Sequence, residues 1–191
     1  MHGNEGIYIE NADFVWLGGR FRNLSSFTGS EIVKGVDFYG DNLLLESVLK
    51  YVGLKAVSSD ALISGKVKLE ASDNGILIKN SNLYTRPGLG GRLRMPGIGS
   101  YLGKQEKGYN QFVSAVMQRF NYDWIRLHAD MGKESTKILL ESYGKPARKV
   151  PYVWDKVGER FIRTTDDNMG ISSKLTLKTD FVLPTCFKNK E

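Results

Sequence analysis

The chain has 191 residues, of which 41% are hydrophobic and 25% are charged, a composition typical of a folded protein rather than a disordered one. It carries 27 Lys and Arg against 21 Asp and Glu, and the net charge of +6 favours an anionic partner such as a phosphorylated cofactor or nucleic acid. The single cysteine, Cys186, excludes an internal disulfide and a thiolate metal cluster, and two histidines are too few for a typical histidine-based zinc site.

The apolar runs and the N-terminal residues indicate where in the cell the protein is expected. No run approaches the roughly 18 apolar residues that a membrane span needs, and residues 1–5 lack the basic and apolar regions of a secretory leader. We therefore expect a cytoplasmic protein with no membrane partner. The length suits one domain over residues 1–191, with C-terminal strands expected at 146–191.

The first predicted elements are two strands and a helix. Alternating residues predict strands at 7–9 and 13–17, and two glycines close the second strand with a turn. The next arginines, Arg20 and Arg22, fit either a solvated strand edge or a phosphate contact. A helix is predicted from Asp41, a residue type that caps helix N-termini, to the glycine at position 53. Its apolar face consists of Leu44, Leu45, Val48, Leu49 and Val52.

A β-hairpin is predicted next. Residues 65–70 alternate between polar and apolar, residues 72–75 give a strong turn signal, and residues 75–79 return antiparallel to the first strand. The second strand either runs on to Tyr84 or breaks at residues 80–82.

A glycine- and arginine-rich segment runs from residue 85 to residue 99. It holds five glycines, two prolines and three arginines, and such a loop either wraps an anion or is a flexible connection. It leads into a predicted helix that starts at Ser100 or only near Lys107. An early start brings the N–H groups of the loop to the positive end of the helix dipole, whereas a late start weakens the argument for phosphate binding.

A strand and a second helix follow. Residues 124–129 are predicted to form a strand on which Trp124, Arg126 and His128 share one face. His128 fits either a structural role or that of a general base near neutral pH. A helix is predicted at 133–143, because the glycine and proline that come after it form a normal helix stop.

The segment from Arg94 to Gly99 has the order Arg, two residues, Gly, any residue, Gly. In this loop and in the elements around it, the chain resembles the acetyl-CoA-binding half of the GNAT acyltransferase superfamily, and the resemblance implies an acyl-CoA-binding core at 78–145. Residues 83–87 are similar to the strand before the family's pyrophosphate loop, residues 124–127 to its next strand, and residues 132–144 to the helix after that.

The chain departs from the family pattern at three places. Pro96 removes one backbone donor inside the loop. The segment between the loop and the next strand is longer than usual by about two helical turns. Leu140 stands where many family members have the tyrosine that serves as general acid, and Tyr143, one turn away, is either its substitute or a packing residue at the helix end.

The resemblance implies an α/β (α+β) fold, with a mixed, largely antiparallel sheet flanked by helices, and transfer of an acetyl group from acetyl-CoA to an unidentified amine. It implies that a strand N–H near Tyr84 polarises the thioester carbonyl and that Glu70 or His128 removes the amine proton through water. Where Tyr143 substitutes for the usual tyrosine, it acts as the acid. The cofactor-binding groups would be Arg94 and the backbone N–H groups of Gly97, Ile98, Gly99 and Ser100.

A second hypothesis from a different class is a non-enzymatic, basic nucleic-acid-binding or assembly protein. Short strands are expected in the C-terminal part, at residues 151–154, 160–163 and 174–178. Aromatic residues interspersed with basic ones could form a surface for base stacking and phosphate contacts. The aromatic candidates are Phe21, Tyr84, Tyr101, Tyr109 and Tyr152, and the basic candidates are Arg20, Arg22, Arg92 and Lys104. A degenerate acyltransferase fold recruited for binding would unite the two hypotheses.

Overall fold

A large antiparallel sheet dominates the structure, a computed structural model that describes residues 12–23, 35–72, 75–102 and 107–184. Its ten strands are β1 (Asp13–Trp16), β2 (Gly19–Asn23), β3 (Val36–Leu44), β4 (Ser58–Ser59), β5 (Leu62–Ser72), β6 (Gly75–Thr85), β7 (Gly91–Arg94), β8 (Phe120–Met131), β9 (Ser135–Pro146) and β12 (Leu175–Pro184). The other elements are α1 (Leu45–Tyr51), a 3-10 turn (Ile98–Ser100), α2 (Lys107–Met117), β10 (Tyr152–Asp155) and β11 (Arg160–Arg163).

The strand order follows from a chain of hairpins. The sheet runs β1-β2-β3-β5-β6-β8, and β8 continues to β9 and then β12. The short strand β7 pairs with the first residues of β8, and β6 pairs with later residues on the same edge of β8. The two-residue strand β4 pairs with β7. Every ladder among the described residues is antiparallel, and β10 and β11 form a separate two-stranded hairpin.

The predicted GNAT-like fold class is therefore wrong. Residues 133–143 do not form the helix that follows a family strand, because residues 135–146 are strand β9, which pairs with β8 on one side and β12 on the other. Alternate residues of β9 are buried, including Ile138, Leu140 and Ser142. Pairing with the preceding strand β8 and with β12, which follows much later in the chain, decides the conformation here over a local pattern that also suited a helix. The result is a β-rich fold rather than a helix-flanked α/β one.

The first helix is shorter than predicted. Residues 41–44 belong to the end of β3, so α1 starts at Leu45, and no side chain caps its N-terminus. The carboxylate of Asp41 instead accepts a hydrogen bond from the Ser64 hydroxyl at 3.1 Å. The helix ends before Gly53, which has the positive φ expected of it, 112°.

Several strand predictions are confirmed. The predicted hairpin at 65–79 is β5 and β6, and the second strand runs on to Thr85 without a break. The strand predicted at 124–129 is the central part of β8, and its expected alternation holds, with Trp124, Arg126 and His128 on the solvent side. The C-terminal strands lie where the pattern placed them. The predicted strand at 7–9, Lys104 and Cys186 lie outside the described residues.

One face of the sheet is buried against the helices. The buried side chains of the strands form one hydrophobic cluster with those of α1 and α2. The β10–β11 hairpin lies over α2, where Phe161 stacks on Phe112 with ring centroids 3.9 Å apart. Gly108 permits this close approach, because a Cβ there would lie 2.5 Å from the Phe161 carbonyl oxygen. The opposite face of the sheet is open to solvent along β6, β8, β9 and β12.

Hydroxyl groups help to join β6 to β8. The backbone ladder between these strands pairs Leu83 with Leu127 and Tyr84 with Arg126. On either side of it, a buried hydroxyl serves as both donor and acceptor for the facing backbone. The Ser81 hydroxyl accepts from the Ala129 N–H at 2.8 Å and donates to the Ala129 carbonyl at 3.1 Å. The Thr85 hydroxyl does the same with the N–H and carbonyl of Ile125, at 2.9 and 3.4 Å.

Candidate functional site

The predicted cofactor loop has a different geometry from the one its sequence suggested. Arg94 ends β7, Gly97 has φ 73°, and the Ile98 side chain is buried in the core. The Gly99 N–H donates to the Ser114 hydroxyl at 3.2 Å, and the Ser100 N–H donates to the Gly97 carbonyl at 3.2 Å.

Helix α2 starts at Lys107, so the loop does not lead directly into it. Two of the N–H groups assigned to pyrophosphate thus already have protein acceptors, and the short 3-10 turn lacks the dipole of a long helix. The geometry lends acetyl-CoA binding no support, and this binding stays a prediction.

The predicted catalytic residues Glu70, His128 and Tyr143 lie on three strands, and Tyr84, predicted to contact the cofactor, lies on a fourth. Glu70 faces Leu77 at the hairpin end of β5, seven residues along β6 from Tyr84, so about 23 Å of strand separates Glu70 from the Tyr84 region. His128 is opposite Leu139, and Tyr143 is opposite Trp124, four residues from His128 along β8. Tyr84 and Tyr143 therefore lie in neighbouring rows of cross-strand residues, whereas Glu70 is distant from both.

The open face of the sheet carries rows of polar and aromatic side chains. We use the term outer face for the solvent-facing side chains Tyr84, Trp124, Arg126, His128, Glu141, Tyr143 and Lys178. One row crosses four strands in register, from Tyr84 to Arg126, Glu141 and Lys178. The Glu141 carboxylate lies 3.6 Å from an Arg126 nitrogen and 3.5 Å from Lys178 Nζ, so one acidic group is shared by two basic ones.

The neighbouring row holds an aromatic pair. Trp124 and Tyr143 stack across β8 and β9, with ring centroids 6.2 Å apart and an interplanar angle of 25°. Lys174 Nζ lies 5.7 Å from the centre of the Tyr143 ring and 2.7 Å from the Asp123 carboxylate. The hydrogen bond to Asp123 raises the pKa of the Lys174 ammonium, so it stays charged. A cavity of about 390 Å³ opens beside the pair, with Thr85 and the turn at Pro87 as its other wall.

A β-bulge sets the direction of Trp124. The register of β8 against β9 shifts between Tyr122 and Trp124, which leaves Asp123 as an extra residue. The shift puts Asn121 and Trp124 on the same face of the sheet, although an unbroken strand would place them on opposite faces. Gly144 makes room for this arrangement, because a Cβ there would lie 2.1 Å from the Asn121 carbonyl oxygen.

Tyr39 interacts with Tyr84 across β5. This interaction, together with some burial, raises the pKa of Tyr39. Tyr84 remains 45% exposed. Its position beside Arg126 extends the outer face toward β3.

A second polar site lies at the edge formed by β4, β7 and the start of β8. We use the term arginine groove for a cavity of about 440 Å³ whose polar lining includes Ser58, Asp60, Arg92, Arg94, Arg119 and Asn121. Asp60 organises this edge, since its carboxylate accepts from the Arg92 N–H at 2.7 Å and from the Tyr122 hydroxyl at 3.2 Å. Burial and this carboxylate raise the pKa of Tyr122, so its hydroxyl remains a donor.

The aromatic residues first considered for base stacking are mostly unsuitable. Phe21 is fully buried, Tyr152 is 8% exposed, and the Tyr109 hydroxyl donates to the Lys178 carbonyl at 3.1 Å. Arg20 pairs with Asp13 at the far edge of the sheet. Sequence reasoning missed the stack of Trp124 on Tyr143, because it depends on a strand pairing that the predicted helix concealed. The alternation around Trp124 was its one sequence signal.

Comparisons of the chain with family models, with curated proteins and with solved structures find no match. Within residues 12–23, 35–72, 75–102 and 107–184, neither helix is long and apolar enough to cross a membrane. The same residues contain no cluster of three or more side chains suited to hold a metal ion.

Proposed function

We propose that this chain is a non-enzymatic nucleic-acid-binding protein that takes a single-stranded segment across its outer face. The observation that carries the proposal is the solvent-facing stack of Trp124 on Tyr143, placed among basic side chains on an open sheet. Aromatic rings of this kind stack with bases of any sequence, and Arg and Lys bind the phosphates between them.

Basic residues lie on both sides of the aromatic pair. Toward the arginine groove, Lys145 is the next outward residue of β9 and faces Asn121. In the other direction, Arg126 and Lys178 share one carboxylate. A strand that crossed the pair along β8 would therefore meet cations before and after its stacked bases, which is the arrangement that single-strand-binding surfaces use.

The acyltransferase hypothesis remains a prediction from the sequence without geometric support. Its residues are spread over several strands, and the segment matched to a family helix is β9. Calorimetric titration with acetyl-CoA tests it directly. Saturable binding that Gly97→Glu abolishes and Gly97→Ala retains would favour it again. A side chain at position 97 meets no other atom within 4 Å, and both variants carry the same backbone strain at the φ of 73°, so the difference between them reports on the ligand.

The nucleic-acid proposal predicts a selective loss of affinity. Fluorescence anisotropy with a labelled, unstructured single-stranded DNA should give saturable, salt-sensitive binding by the wild-type chain. The double variant Trp124→Ala/Tyr143→Ala should bind at least about tenfold more weakly, because each stacked base is worth about 1–3 kcal/mol. The Trp124 fluorescence should also change when DNA binds.

The matched control is Trp154→Ala, which removes a tryptophan that is 50% exposed on β10, away from the outer face. It should leave the affinity unchanged. Equal affinity of the wild-type chain and the double variant would rule out the stacking surface, and an equal loss in the Trp154 variant would show a non-specific effect.

The β10–β11 hairpin favours a role in assembly as a second candidate. Val157, at its tip, is 97% exposed, and Trp154 and Ile162 beside it are also exposed. Exposed apolar side chains concentrated on one small element are typical of protein–protein contacts. If this hairpin mediates self-association, sedimentation velocity should show concentration-dependent oligomers that Val157→Asp abolishes. A monomer at all concentrations would remove self-association from consideration.

A further inference from the structure

Two arginines, Arg94 and Arg119, line the arginine groove. In the ladder between β7 and β8, Arg92 faces Asn121 and Leu93 faces Phe120. Arg94 ends β7 and Arg119 immediately precedes β8, so both follow directly on the last pair of this ladder, and both are exposed. Neighbouring side chains of like charge destabilise a sheet unless something neutralises them.

The described residues supply no such neutralising group. Ion pairs occupy many basic side chains of the sheet, among them Lys66 with Asp37, Lys79 with Asp130 and Arg92 with Asp60. Arg94 and Arg119 have no carboxylate of the described residues within 4.0 Å. The acidic residue of the groove, Asp60, is already engaged by Arg92 and Tyr122.

We propose that the arginine groove is a binding site for a phosphate monoester dianion, held between the guanidinium groups of Arg94 and Arg119. Two guanidinium forks match the charge of about −1.5 to −2 that such a group carries at pH 7 and can each donate paired hydrogen bonds to its oxygens. Ser58, opposite Arg94 in the β4–β7 ladder, and Asn121 line the same groove and add neutral donors.

The rest of the groove holds the two forks in place. The Met95 N–H donates to the Met117 carbonyl at 2.8 Å, and the Ala147 N–H donates to the Arg119 carbonyl at 2.8 Å, so the backbone beside each arginine is fixed. Leu93 and Phe120, buried beneath the groove, anchor the ladder between them. The anion would meet a site that is largely formed before it binds, which lowers the cost of binding.

Titration with inorganic phosphate tests the site and does not depend on the proposed nucleic-acid function. Isothermal calorimetry at low ionic strength should show saturable binding at one site, and the melting temperature should rise with phosphate concentration. Arg94→Gln/Arg119→Gln should weaken phosphate binding at least about tenfold, as expected when charge-assisted hydrogen bonds are lost. Without phosphate, this variant should melt at the same or a higher temperature, because the repulsion between like charges is gone.

Two further variants separate the effect of the guanidinium geometry from that of the charge alone. Arg119→Lys retains the charge but removes the fork, and it should fold normally and bind phosphate more weakly than the wild type. Arg160→Gln, on the exposed strand β11, removes the same charge outside the groove and should leave phosphate binding unchanged. Failure of the wild type to bind phosphate, or equal binding by the double arginine variant, would falsify the assignment.

A pair of oligonucleotides identifies the source of the phosphate. If the groove takes the end of a nucleic acid, a 5′-phosphorylated strand should bind more tightly than the same strand with a 5′-hydroxyl, and the double arginine variant should abolish the difference. Equal binding of the two strands, with inorganic phosphate still bound, would assign the groove to a free phosphate compound. Phosphate binding with no binding of either strand would remove the proposed nucleic-acid function and leave this site intact.

Discussion

Ser81→Ala should lower the free energy of unfolding by about 2–6 kcal/mol, because it leaves two buried backbone groups without a partner at about 1–3 kcal/mol each. These groups are the N–H and the carbonyl of Ala129, both of which bond to the Ser81 hydroxyl. Thr85→Val should have a comparable effect at Ile125, and it nearly preserves the shape of the side chain. Urea denaturation followed by circular dichroism measures both changes.

Ser72 provides the control for these hydroxyl variants. Its hydroxyl donates to the Gly75 carbonyl at 3.0 Å in the exposed end of the β5–β6 hairpin. Ser72→Ala should therefore change the stability by no more than about 0.5 kcal/mol, as is usual for surface substitutions. If Ser81→Ala and Thr85→Val also stayed within that range, the hydroxyls would not be what joins β6 to β8.

Gly144→Ala should destabilise the fold by about 3 kcal/mol or more, at the upper end of the cost of inserting a group into a packed site. The added Cβ would lie 2.1 Å from the Asn121 carbonyl oxygen and 2.7 Å from the Tyr122 Cα, and both of these are backbone atoms that cannot rotate away. The relief of this overlap would disturb the bulge at Asp123, which turns Trp124 outward. Near-ultraviolet circular dichroism should report the altered Trp124–Tyr143 pair.

Gly40→Ala is the matched comparison, since it also adds a methyl group to a strand. The Cβ at position 40 would meet the side chain of Leu43, 2.7 Å away, which can change its rotamer. This variant should lose less stability than Gly144→Ala and should keep the near-ultraviolet spectrum. Equal losses, or a normal spectrum in the Gly144 variant, would show that close backbone approach at Gly144 does not shape the aromatic pair.

Local signals predicted the hairpins and several strands. The β5–β6 hairpin has alternation in both strands and turn residues between them, so residues adjacent in the chain carry the information. The same holds for the C-terminal strands. The late start of α2, at Lys107, was one of two alternatives that its amphipathic pattern left open.

Contacts between neighbouring strands of the sheet explain the wrong secondary-structure predictions. Residues 135–146 have apolar residues at positions compatible with either period, and a glycine and a proline at their end resembled a helix stop. Their conformation is decided by β8 and β12, the second of which starts about 30 residues later in the chain. Asp41 looked like a helix cap for a similar reason, since its acceptor role toward Ser64 depends on the neighbouring strand β5.

Only some residues of the candidate sites were predicted from the sequence. The alternation of Trp124, Arg126 and His128 was visible in the sequence and is confirmed. Arg94 was predicted to bind phosphate, but Arg119, which lines the same groove, was not. No local pattern could reveal that these two residues share a groove, because this depends on the pairing of β7 with β8. Arg94 was predicted to lie in a loop before a helix, whereas it ends β7 at the edge of the sheet.

The hydroxyl links between β6 and β8 also set which substitutions this sheet can accept. Ser81 is fully buried and Thr85 nearly so, and burial alone would rank alanine and valine as good replacements at these positions. In a library of all single substitutions, position 81 should instead accept mainly serine or threonine, and position 85 should reject valine despite its matching shape. The chain thus contains two interior positions where the capacity to donate and accept a hydrogen bond counts for more than apolarity.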